Sequence, residues 1–336
     1  MFRHIMTSAL LAGLLMLSLP GNAALGKVGQ DKSCYSGPFE NYDDFIDVLV
    51  EKKKKLPAPS ARAKLEMALP KQDFTWGKTQ ARCDSFLYQV DGVNVLGYKI
   101  VPNIANSDQP LPVVIYNRGG NAEYGSLVFG QVLRNLIPIA KQGYIVLASN
   151  YRGGLPGQDP EAYGRDEFGG KDVDDVKALI EMIESIPEAD PNRIALFGWS
   201  RGGMMNFLTA RNNDKIKAVV TVAGDNDLNM GLSIRPEMER VYKARIPDYA
   251  VNKSESLKQR SVIEWADELP KEMPVLLLYG QNDQRVSALH GIKLAEKFQQ
   301  TGQPYKLVIY PEADHSLLPY RDEAMAEIFG WLDAHL

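Results

Sequence analysis

The sequence predicts an α/β fold in which a mostly parallel sheet carries helices on both faces. From residue 111 onward, short apolar segments typical of buried strands alternate with amphipathic segments at helical spacing. The chain has 336 residues, 45% hydrophobic and 24% charged, enough for a large core in one domain of roughly 250 residues plus an extension. A serine between glycines also lies where a strand pattern meets a helix pattern, as in the sharp turns of such sheets.

Residues 1–23 predict a signal peptide. A short polar start precedes an apolar run over 5–19, and Gly21 and Ala23 supply the small residues of a cleavage site. The run is shorter than the roughly 20 residues that a membrane span needs, and no later segment is long and apolar enough. We therefore expect a periplasmic or secreted protein without a stable membrane span after cleavage. An uncleaved anchor is the alternative.

The segment 24–84 predicts a helical extension. Apolar residues at three- and four-residue steps indicate an amphipathic helix over 38–55, and a second short helix is expected over 61–69. Cys34 and Cys83 are the two cysteines of the chain, and they can form a disulfide in an oxidising compartment. Two free buried thiols are the alternative. No metal or cofactor is expected, because two cysteines and four histidines show no ligand spacing.

The main domain is predicted over 85–336 and begins with a β-hairpin. Strands over 85–90 and 93–101 are joined by Asp91-Gly92, a pair that supplies the positive φ angles of a two-residue turn. The later elements are predicted as strands over 111–116, 144–149, 193–197, 216–222, 275–279 and 306–310 and as helices over 126–142, 172–186, 287–301 and 320–336.

The interval 225–272 breaks this alternation. Its polar, helix-like content lies between one strand and the next, which predicts an insertion that covers the carboxyl edge of the sheet. Reactive groups of open parallel sheets lie at the carboxyl ends of the strands. The candidate site residues should therefore be those that directly follow a strand.

Ser200 is the candidate nucleophile, within Gly-Trp-Ser-Arg-Gly-Gly over 198–203. A buried-strand pattern precedes it and a helix-like pattern follows, so the glycines would allow a sharp turn that exposes the hydroxyl. The amide of Arg201 would then face an oxyanion that forms on an attacked carbonyl. An ordinary glycine-rich turn with a surface serine is the alternative.

His315 is the candidate general base. Of the four histidines, His4 lies in the signal peptide, His335 is penultimate and His290 falls inside an amphipathic helix. His315 lies in the loop after the last predicted strand, from which an imidazole can reach back to the proton of Ser200. A structural histidine is the alternative.

Asp283 is the candidate carboxylate that orients this imidazole. It directly follows the penultimate predicted strand and lies between Ser200 and His315 in the chain. Asp225 and Asp227, after the preceding strand, are the competing candidates. Their alternative role is to cap the segment that follows.

A second oxyanion donor is expected from the loop after the strand over 111–116. Gly120 and then Gly119 are favoured, because glycines let the main chain approach a substrate oxygen. Arg118, Arg152 and Arg201 lie on loops at this rim, where guanidinium groups would attract a carboxylate or a carbonyl-rich ligand. A structural or solvated role is the alternative for these arginines.

Several segments together resemble motifs of the prolyl oligopeptidase family of serine peptidases, within the α/β-hydrolase superfamily. The family motifs N-Y-R-G-S, G-G-x-D-V-x-D, G-W-S-x-G-G, H-G-x-x-D-x-x-V and Y-P-x-x-x-H are matched in turn by residues 149–154, 168–175, 198–203, 278–286 and 310–315. The resemblance extends from about residue 98 to the carboxyl terminus. It implies an α/β-hydrolase fold with Ser200 as nucleophile, Asp283 as acid and His315 as base.

The sequence departs from the family pattern at three places. Arg201 stands where the family often has Tyr after the nucleophile, and Arg118 stands where the oxyanion loop usually has His or Tyr. Family peptidases usually also carry a β-propeller of several hundred residues, and the segment 24–84 is too short to build one. Specificity for a peptide amino terminus, which residues of the propeller provide, is therefore not expected.

The signal-peptide pattern predicts an exported protein, and the family resemblance implies a serine hydrolase that cleaves peptide or amide bonds. A carboxylesterase acting on small acyl esters is the alternative, because the same three residues serve both reactions. A fold that binds without catalysis is a third interpretation. The net charge of -4 gives no basic surface, so the expected partner is a peptide or small ester substrate and not nucleic acid.

Overall fold

A nine-stranded sheet runs through the residues that the computed structural model describes, 30–53 and 57–336. The strands in chain order are β1 Lys32–Ser33, β2 Ala81–Val90, β3 Val93–Pro102, β4 Leu111–Asn117, β5 Ile145–Ser149, β6 Ala189–Trp199, β7 Ile216–Val222, β8 Val275–Gly280 and β9 Tyr305–Tyr310. In space they follow the order β1-β2-β3-β5-β4-β6-β7-β8-β9. Pairing is antiparallel from β1 to β5 and parallel from β5 to β9. The predicted mostly parallel sheet is therefore confirmed.

Helices cover both faces of this sheet. In the described part of the chain they are α1 Tyr42–Glu51, α2 Ala58–Ala68, α3 Lys71–Thr79, α4 over 129–140, α5 Pro160–Tyr163, α6 Asp172–Met182, α7 Arg201–Ala210, α8 Leu228–Ile234, α9 Met238–Arg245, α10 Tyr249–Gln259, α11 Leu289–Thr301 and α12 Arg321–His335. The middle turn of α4, Val132–Leu136, is π-helical. This turn carries Arg134.

The sheet divides the core into two layers, and its central strand β4 contributes to both. Val113 and Ile115 point into the layer below α6 and α7, whereas Val114 and Tyr116 point into the layer below α1, α4 and α12. This alternation follows from the two-residue period of a strand. Because both faces are covered, the sequence of β4 is almost continuously apolar, as expected for a buried parallel strand.

The amino-terminal segment packs onto the sheet through α4. Phe129 at the start of α4 stacks on Phe39 at 4.8 Å between ring centroids and meets Phe45 and Phe74 edge to face. The sequence did not predict α3 or the short strand β1, and β2 begins at Ala81 rather than at residue 85. The predicted boundary at residue 84 therefore falls inside β2.

A disulfide joins Cys34 and Cys83, as the sequence analysis predicted. The two Cα atoms lie 5.4 Å apart, and the amide of Cys34 also donates to the carbonyl of Cys83 at 2.9 Å. Neither cysteine is free, and both are buried. The bond fastens the residues before α1 to the strand β2.

Reduction of this disulfide should lower the melting temperature while leaving a folded protein. The bond closes a loop with a sequence separation of 49, for which loop entropy predicts about 4 kcal/mol of stabilisation. Calorimetry with and without reductant should show a decrease of several degrees. The double variant Cys34→Ser/Cys83→Ser should melt at the same temperature in both conditions. Two titratable thiols in denatured, non-reduced wild type would contradict the bond.

The interval 225–272, predicted as an insertion, is helical in the structure. It contains α8, α9 and α10 between β7 and β8. The Arg260 side chain fastens it to the loop before α6 by donating to the carbonyls of Phe168 and Glu167 at 2.8 and 3.2 Å. Phe168 also packs on Tyr242 of α9. The insertion thus borders the carboxyl edge of the sheet.

The predicted signal peptide lies outside the described residues. Over 30–53 and 57–336, no helix has both the length and the apolar character that crossing a membrane requires.

Candidate active site

Ser200 occupies the sharp turn between β6 and α7. Its backbone angles are φ 58° and ψ -124°, a conformation that a residue with a side chain adopts only under strain. The Ser200 amide donates to the carbonyl of Val222 at 2.8 Å, and the Ser200 carbonyl accepts from Gly203 at 2.8 Å. These bonds hold the strained residue between two strands and the helix.

The glycines on either side make this turn possible. A Cβ on Gly198 would lie 2.1 Å from the carbonyl oxygen of Gly202, and a Cβ on Gly202 would lie 2.0 Å from that of Asn117. Both distances are far below van der Waals contact, so no other residue fits at either position. The spacing of glycine around Ser200 is therefore a packing requirement of the turn.

His315 meets Asp283 at the ends of the last two strands. The Nδ1 atom of His315 lies 2.7 Å from Oδ2 of Asp283, whose side chain is fully buried. The other oxygen, Oδ1, accepts from the amides of Arg285 and Val286 at 2.7 and 3.0 Å. Both oxygens of Asp283 are thus satisfied, and one of them is aimed at the imidazole.

Backbone bonds fix the loop that carries His315. The amide of Asn282 donates to the carbonyl of Ala313 at 2.9 Å, which joins the Asp283 loop to the His315 loop. The indole N–H of Trp199, the residue before Ser200, donates to the carbonyl of His315 at 3.0 Å. The serine turn and the histidine loop are therefore directly connected.

The competing carboxylates do not meet His315. Asp227 caps the amino terminus of α8 with its side chain, which is the alternative role considered for it. Asp225 approaches the hydroxyl of Tyr242 at 3.4 Å and Nδ1 of His290 at 3.5 Å. Burial raises the pKa of Asp225 to about 7 and lowers the pKa of His290 to about 4.

Asp225→Asn should stabilise the protein more at pH 8 than at pH 5. The unfolded chain loses the Asp225 proton near pH 4 and the folded chain near pH 7, so this residue lowers the free energy of unfolding as pH rises between those values. The asparagine removes a cost of up to about 4 kcal/mol above pH 7. Urea unfolding at both pH values measures the difference. The exposed Asp214→Asn is the control, and an equal gain at both pH values would contradict the prediction.

The loop after β4 lies against Ser200, where the second oxyanion donor was predicted. A Cβ on Gly119 would lie 3.2 Å from Cβ of Ser200. Within the described residues, the amides of Gly119 and Gly120 donate to no backbone carbonyl. The amide of Arg201 lies at the start of α7, where helix geometry leaves N–H groups without intrahelical acceptors.

The Arg201 side chain fastens this loop to the serine turn. Its guanidinium donates to the carbonyl of Gly120 at 3.1 Å and to Asp166 at 2.6 Å, and it pairs with Asp172. Burial alone would raise the pKa of Asp166, but the charge of Arg201 lowers it to about 2. Asp166 in turn accepts from the amide of Ala122 at 2.5 Å. The sequence does not reveal this role, because Asp166 and Asp172 are distant from Arg201 in the chain.

Arg118 and Arg152 were predicted at a substrate rim, and for Arg152 this is wrong. Arg152 is buried and donates to both oxygens of Asp175, with a further bond to Asp91. Arg118 borders the cavity, but its guanidinium is bound to backbone carbonyls, including that of Asn150 at 2.7 Å. Both side chains are therefore occupied within the fold, which is the structural role given as the alternative.

Arg201→Met should destabilise the fold by roughly 3–5 kcal/mol, because it leaves two buried carboxylates without their cation. It should also slow turnover, since the loop with Gly119 and Gly120 loses its bond to the guanidinium. Urea unfolding and kcat measure the two effects. Adding Asp166→Asn to the variant removes one of the unpaired charges and should restore part of the stability. A single variant as stable as the wild type would contradict this role.

A cavity of about 520 Å³ lies at the carboxyl edge of the sheet. Ser200 and His315 line it together with Gly119 and Gly120, and the insertion contributes residues of α9 such as Met238. No group of three or more potential metal ligands occurs among residues 30–53 and 57–336. The cavity therefore joins a strained serine, a histidine held by a buried carboxylate and a loop of glycine amides.

Comparison with protein families gives two matches. A model described as the prolyl oligopeptidase family matches residues 131–336, which is more than half of the chain. The chain belongs to the prolyl oligopeptidase family. It is accordingly a hydrolase of the serine class, and the resemblance inferred from its motifs is confirmed. A model described as acetyl xylan esterase also matches, over residues 34–224.

Two similar proteins are also named as peptidases. The chain is 28% identical over 268 residues to the uncharacterized peptidase YtmA of Bacillus subtilis, covering 79% of this chain and 99% of that protein. It is 27% identical over 276 residues to dipeptidyl-peptidase 5 of Porphyromonas gingivalis, covering 77% of this chain but 38% of that protein. The chain thus spans nearly all of one relative and about two fifths of the other.

Solved structures share the fold. The acylaminoacyl peptidase of Pyrococcus horikoshii superposes with a TM-score of 0.67 at 20% identity, covering 78% of this chain and 43% of that one. This likeness shows the α/β-hydrolase fold that the sequence predicted.

Proposed function

We propose that the chain is an exported serine hydrolase that cleaves peptide or amide bonds through Ser200, His315 and Asp283. The observation that carries the proposal is the contact of His315 with the buried Asp283, in a cavity that the strained Ser200 also lines. Membership of the prolyl oligopeptidase family supports peptides as substrates.

In this mechanism Oγ of Ser200 attacks the substrate carbonyl carbon while Nε2 of His315 takes its proton. Asp283 accepts from Nδ1–H, so that Nε2 is free to act as a base, and it stabilises the imidazolium that forms. His315 then gives the proton to the departing amine as the carbon–nitrogen bond breaks. Water, activated by the same imidazole, hydrolyses the acyl-enzyme and regenerates Ser200.

The negative oxygen of the tetrahedral intermediate would be bound by the amide of Arg201 and by an amide of the loop after β4. Gly120 or Gly119 provides this second donor, and the contact between Gly119 and Ser200 supports their placement. Donors held by the bonds of Arg201 to this loop need little reorganisation during the reaction.

A carboxylesterase acting on small acyl esters is the second candidate function. The match to acetyl xylan esterase favours it, because that match includes residues 34–130, which the prolyl oligopeptidase match does not reach. Purified protein should be given an amide and an ester with the same acyl group and leaving groups of similar size. Amide turnover with kcat/KM within about tenfold of the ester supports the peptidase, whereas hydrolysis of the ester alone makes the chain an esterase.

Export is the remaining part of the proposal. The disulfide between Cys34 and Cys83 supports an oxidising compartment, since such bonds rarely persist in the cytosol. Amino-terminal sequencing of protein recovered from the periplasm or medium should begin after residue 23. Recovery of only the uncleaved chain from the cytosol would contradict export.

A further inference from the structure

The cavity beside Ser200 is strongly basic. Among the described residues that line it are seven arginines and two acidic side chains. This excess is unexpected in a protein whose net charge is -4. An unbalanced group of guanidinium groups within one concave surface favours a ligand that carries negative charge.

Most of these arginines have other partners or face water. Arg118 and Arg201 are bound within the fold, Arg235 pairs with Glu237 at 2.9 Å, and Arg240 is exposed. The remaining three are half-buried, and none forms a salt bridge with another described residue; they are Arg134, Arg285 and Arg321. Asp322 and Asp314 act on Arg321 from beyond salt-bridge distance. A half-buried charge without a bonded counterion is costly, which favours a partner that the protein itself does not supply.

Two of these three arginines share one wall of the cavity, because the helices that carry them pack in the same hydrophobic layer. Arg134 comes from the π-helical turn of α4 and Arg321 from the start of α12. Both charges act on the hydroxyl of Tyr116, at the end of β4. Burial, and then the charge of Arg134, lowers the pKa of Arg321 to about 10, so the two guanidinium groups are close enough to repel each other. Arg285 lies on the loop after β8.

This wall adjoins the histidine. Arg321 follows the His315 loop, and its guanidinium lies 4.9 Å from the ring centroid of Trp199. The indole N–H of Trp199 donates to the carbonyl of His315. Because His315 delivers its proton to the departing group, the part of the cavity next to His315 receives the leaving group of the substrate.

We propose that Arg134, Arg321 and Tyr116 form a subsite that binds a carboxylate on the leaving-group side of the scissile bond. The inference rests on the proposed function, and it narrows the substrates to those whose departing fragment is anionic. The carboxyl terminus of a short peptide and the side chain of an acidic residue offer the same chemistry.

The three side chains suit a carboxylate. Two guanidinium groups that converge from different helices can each donate to a carboxylate oxygen, and such charge-assisted bonds are stronger than bonds between neutral groups. Burial raises the pKa of Tyr116 to about 12, so its hydroxyl remains a donor at neutral pH. The bound anion would also relieve the repulsion between Arg134 and Arg321.

Binding to the full chain with Ser200→Ala tests the subsite without turnover. Titration calorimetry should compare acetyl-tetraalanine with a free carboxyl terminus and the same peptide as its carboxyl-terminal amide. We expect the acid to bind at least tenfold more tightly. Equal affinities would overturn the subsite and leave the proposed serine chemistry intact.

Variants then locate the bound group. Arg134→Gln or Arg321→Gln, each added to Ser200→Ala, should abolish the preference for the acid, whereas Arg321→Lys should retain part of it. The exposed Arg165→Gln and the cavity-lining Arg285→Gln should keep the full preference. A preference that survives both subsite variants, or that disappears only with Arg285→Gln, would overturn the assignment. The comparison of acid and amide on the parent chain does not depend on the folding of any arginine variant.

A third peptide, amidated at its carboxyl terminus but with glutamate on the leaving side, separates the two sources of carboxylate. If it binds as tightly as the acid, the subsite accepts an acidic side chain. If it binds as weakly as the neutral amide, the subsite requires the chain terminus. In the chain with Ser200 intact, a preference for the acid in binding but no hydrolysis of any peptide or ester would contradict the proposed function and leave the subsite standing.

Discussion

Ser200→Ala should lower turnover by roughly 10⁶, because the proposed acyl-enzyme forms on the hydroxyl that this change removes. The same change should prevent labelling by a serine-directed phosphonate, which reacts with an activated hydroxyl. Removal of this one hydroxyl leaves the glycine contacts of the turn unchanged, so the melting temperature should stay within a few degrees of the wild type. Mass spectrometry of the labelled protein and steady-state kinetics measure the two losses.

Ser316→Ala is the matched control for this experiment. Ser316 also lines the cavity, but it lies in the His315 loop, where its amide donates to Asp314 at 2.8 Å, and not at the strained turn between β6 and α7. The Ser316 variant should be labelled to the same extent as the wild type. Full labelling of the Ser200 variant, with loss of labelling in the Ser316 variant, would show that the nucleophile had been assigned to the wrong serine.

The parallel part of the sheet was predictable because each strand is a short apolar run. β7 has the predicted bounds, and β8 and β9 differ from theirs by one residue, since buried parallel strands leave a continuous signal in the sequence. The elements that the sequence missed lack this signal. β1 has two exposed residues, and α3 buries only Phe74 and Gly77, so neither produces a recognisable period.

The candidate nucleophile and its partners were predictable for a related reason. Ser200, Asp283 and His315 each follow a strand directly, so their place at one edge is a consequence of topology that a linear sequence reveals. Asp283 follows β8 and His315 follows β9. Because these two strands pair with each other, the loops that follow them lie side by side and the two side chains can meet.

The arginines were harder to interpret, because their roles depend on partners that lie far away in the chain. Arg201 finds Asp166 and Asp172, and Arg152 finds Asp175, through folding of the loop between β5 and α6. The local sequence around an arginine on a glycine-rich loop is the same whether its guanidinium is solvated, paired with a carboxylate or free to bind a ligand.

The two arginines of the proposed subsite could not be predicted from the sequence either. Arg134 and Arg321 lie on helices that cover the sheet, where a charged residue is usually a solvated one. They converge because α4 and α12 pack on the same face of the sheet and both contribute to one hydrophobic layer. Sequence periodicity places neither residue in a cavity, so this feature emerges only from the packing.

Asp283→Asn should lower kcat by about 10⁴ with a small change in stability. In the structure Oδ1 of Asp283 accepts from two amides, and an asparagine oxygen can keep both bonds. The asparagine amide group would then occupy the place of Oδ2 and donate toward Nδ1 of His315. That bond stabilises the tautomer with its proton on Nε2, and this tautomer cannot accept the proton of Ser200.

Asp225→Asn is the matched control, because Asp225 also lines the cavity as a carboxylate after a strand but meets Tyr242 rather than His315. It should reduce kcat by less than about tenfold, so the two aspartates should differ by about three orders of magnitude. Steady-state kinetics of both variants with one amide substrate measure the ratio. If Asp225→Asn were the slower enzyme, the carboxylate that orients the base would belong to β7 rather than β8, and His315 would have to change its partner during the reaction.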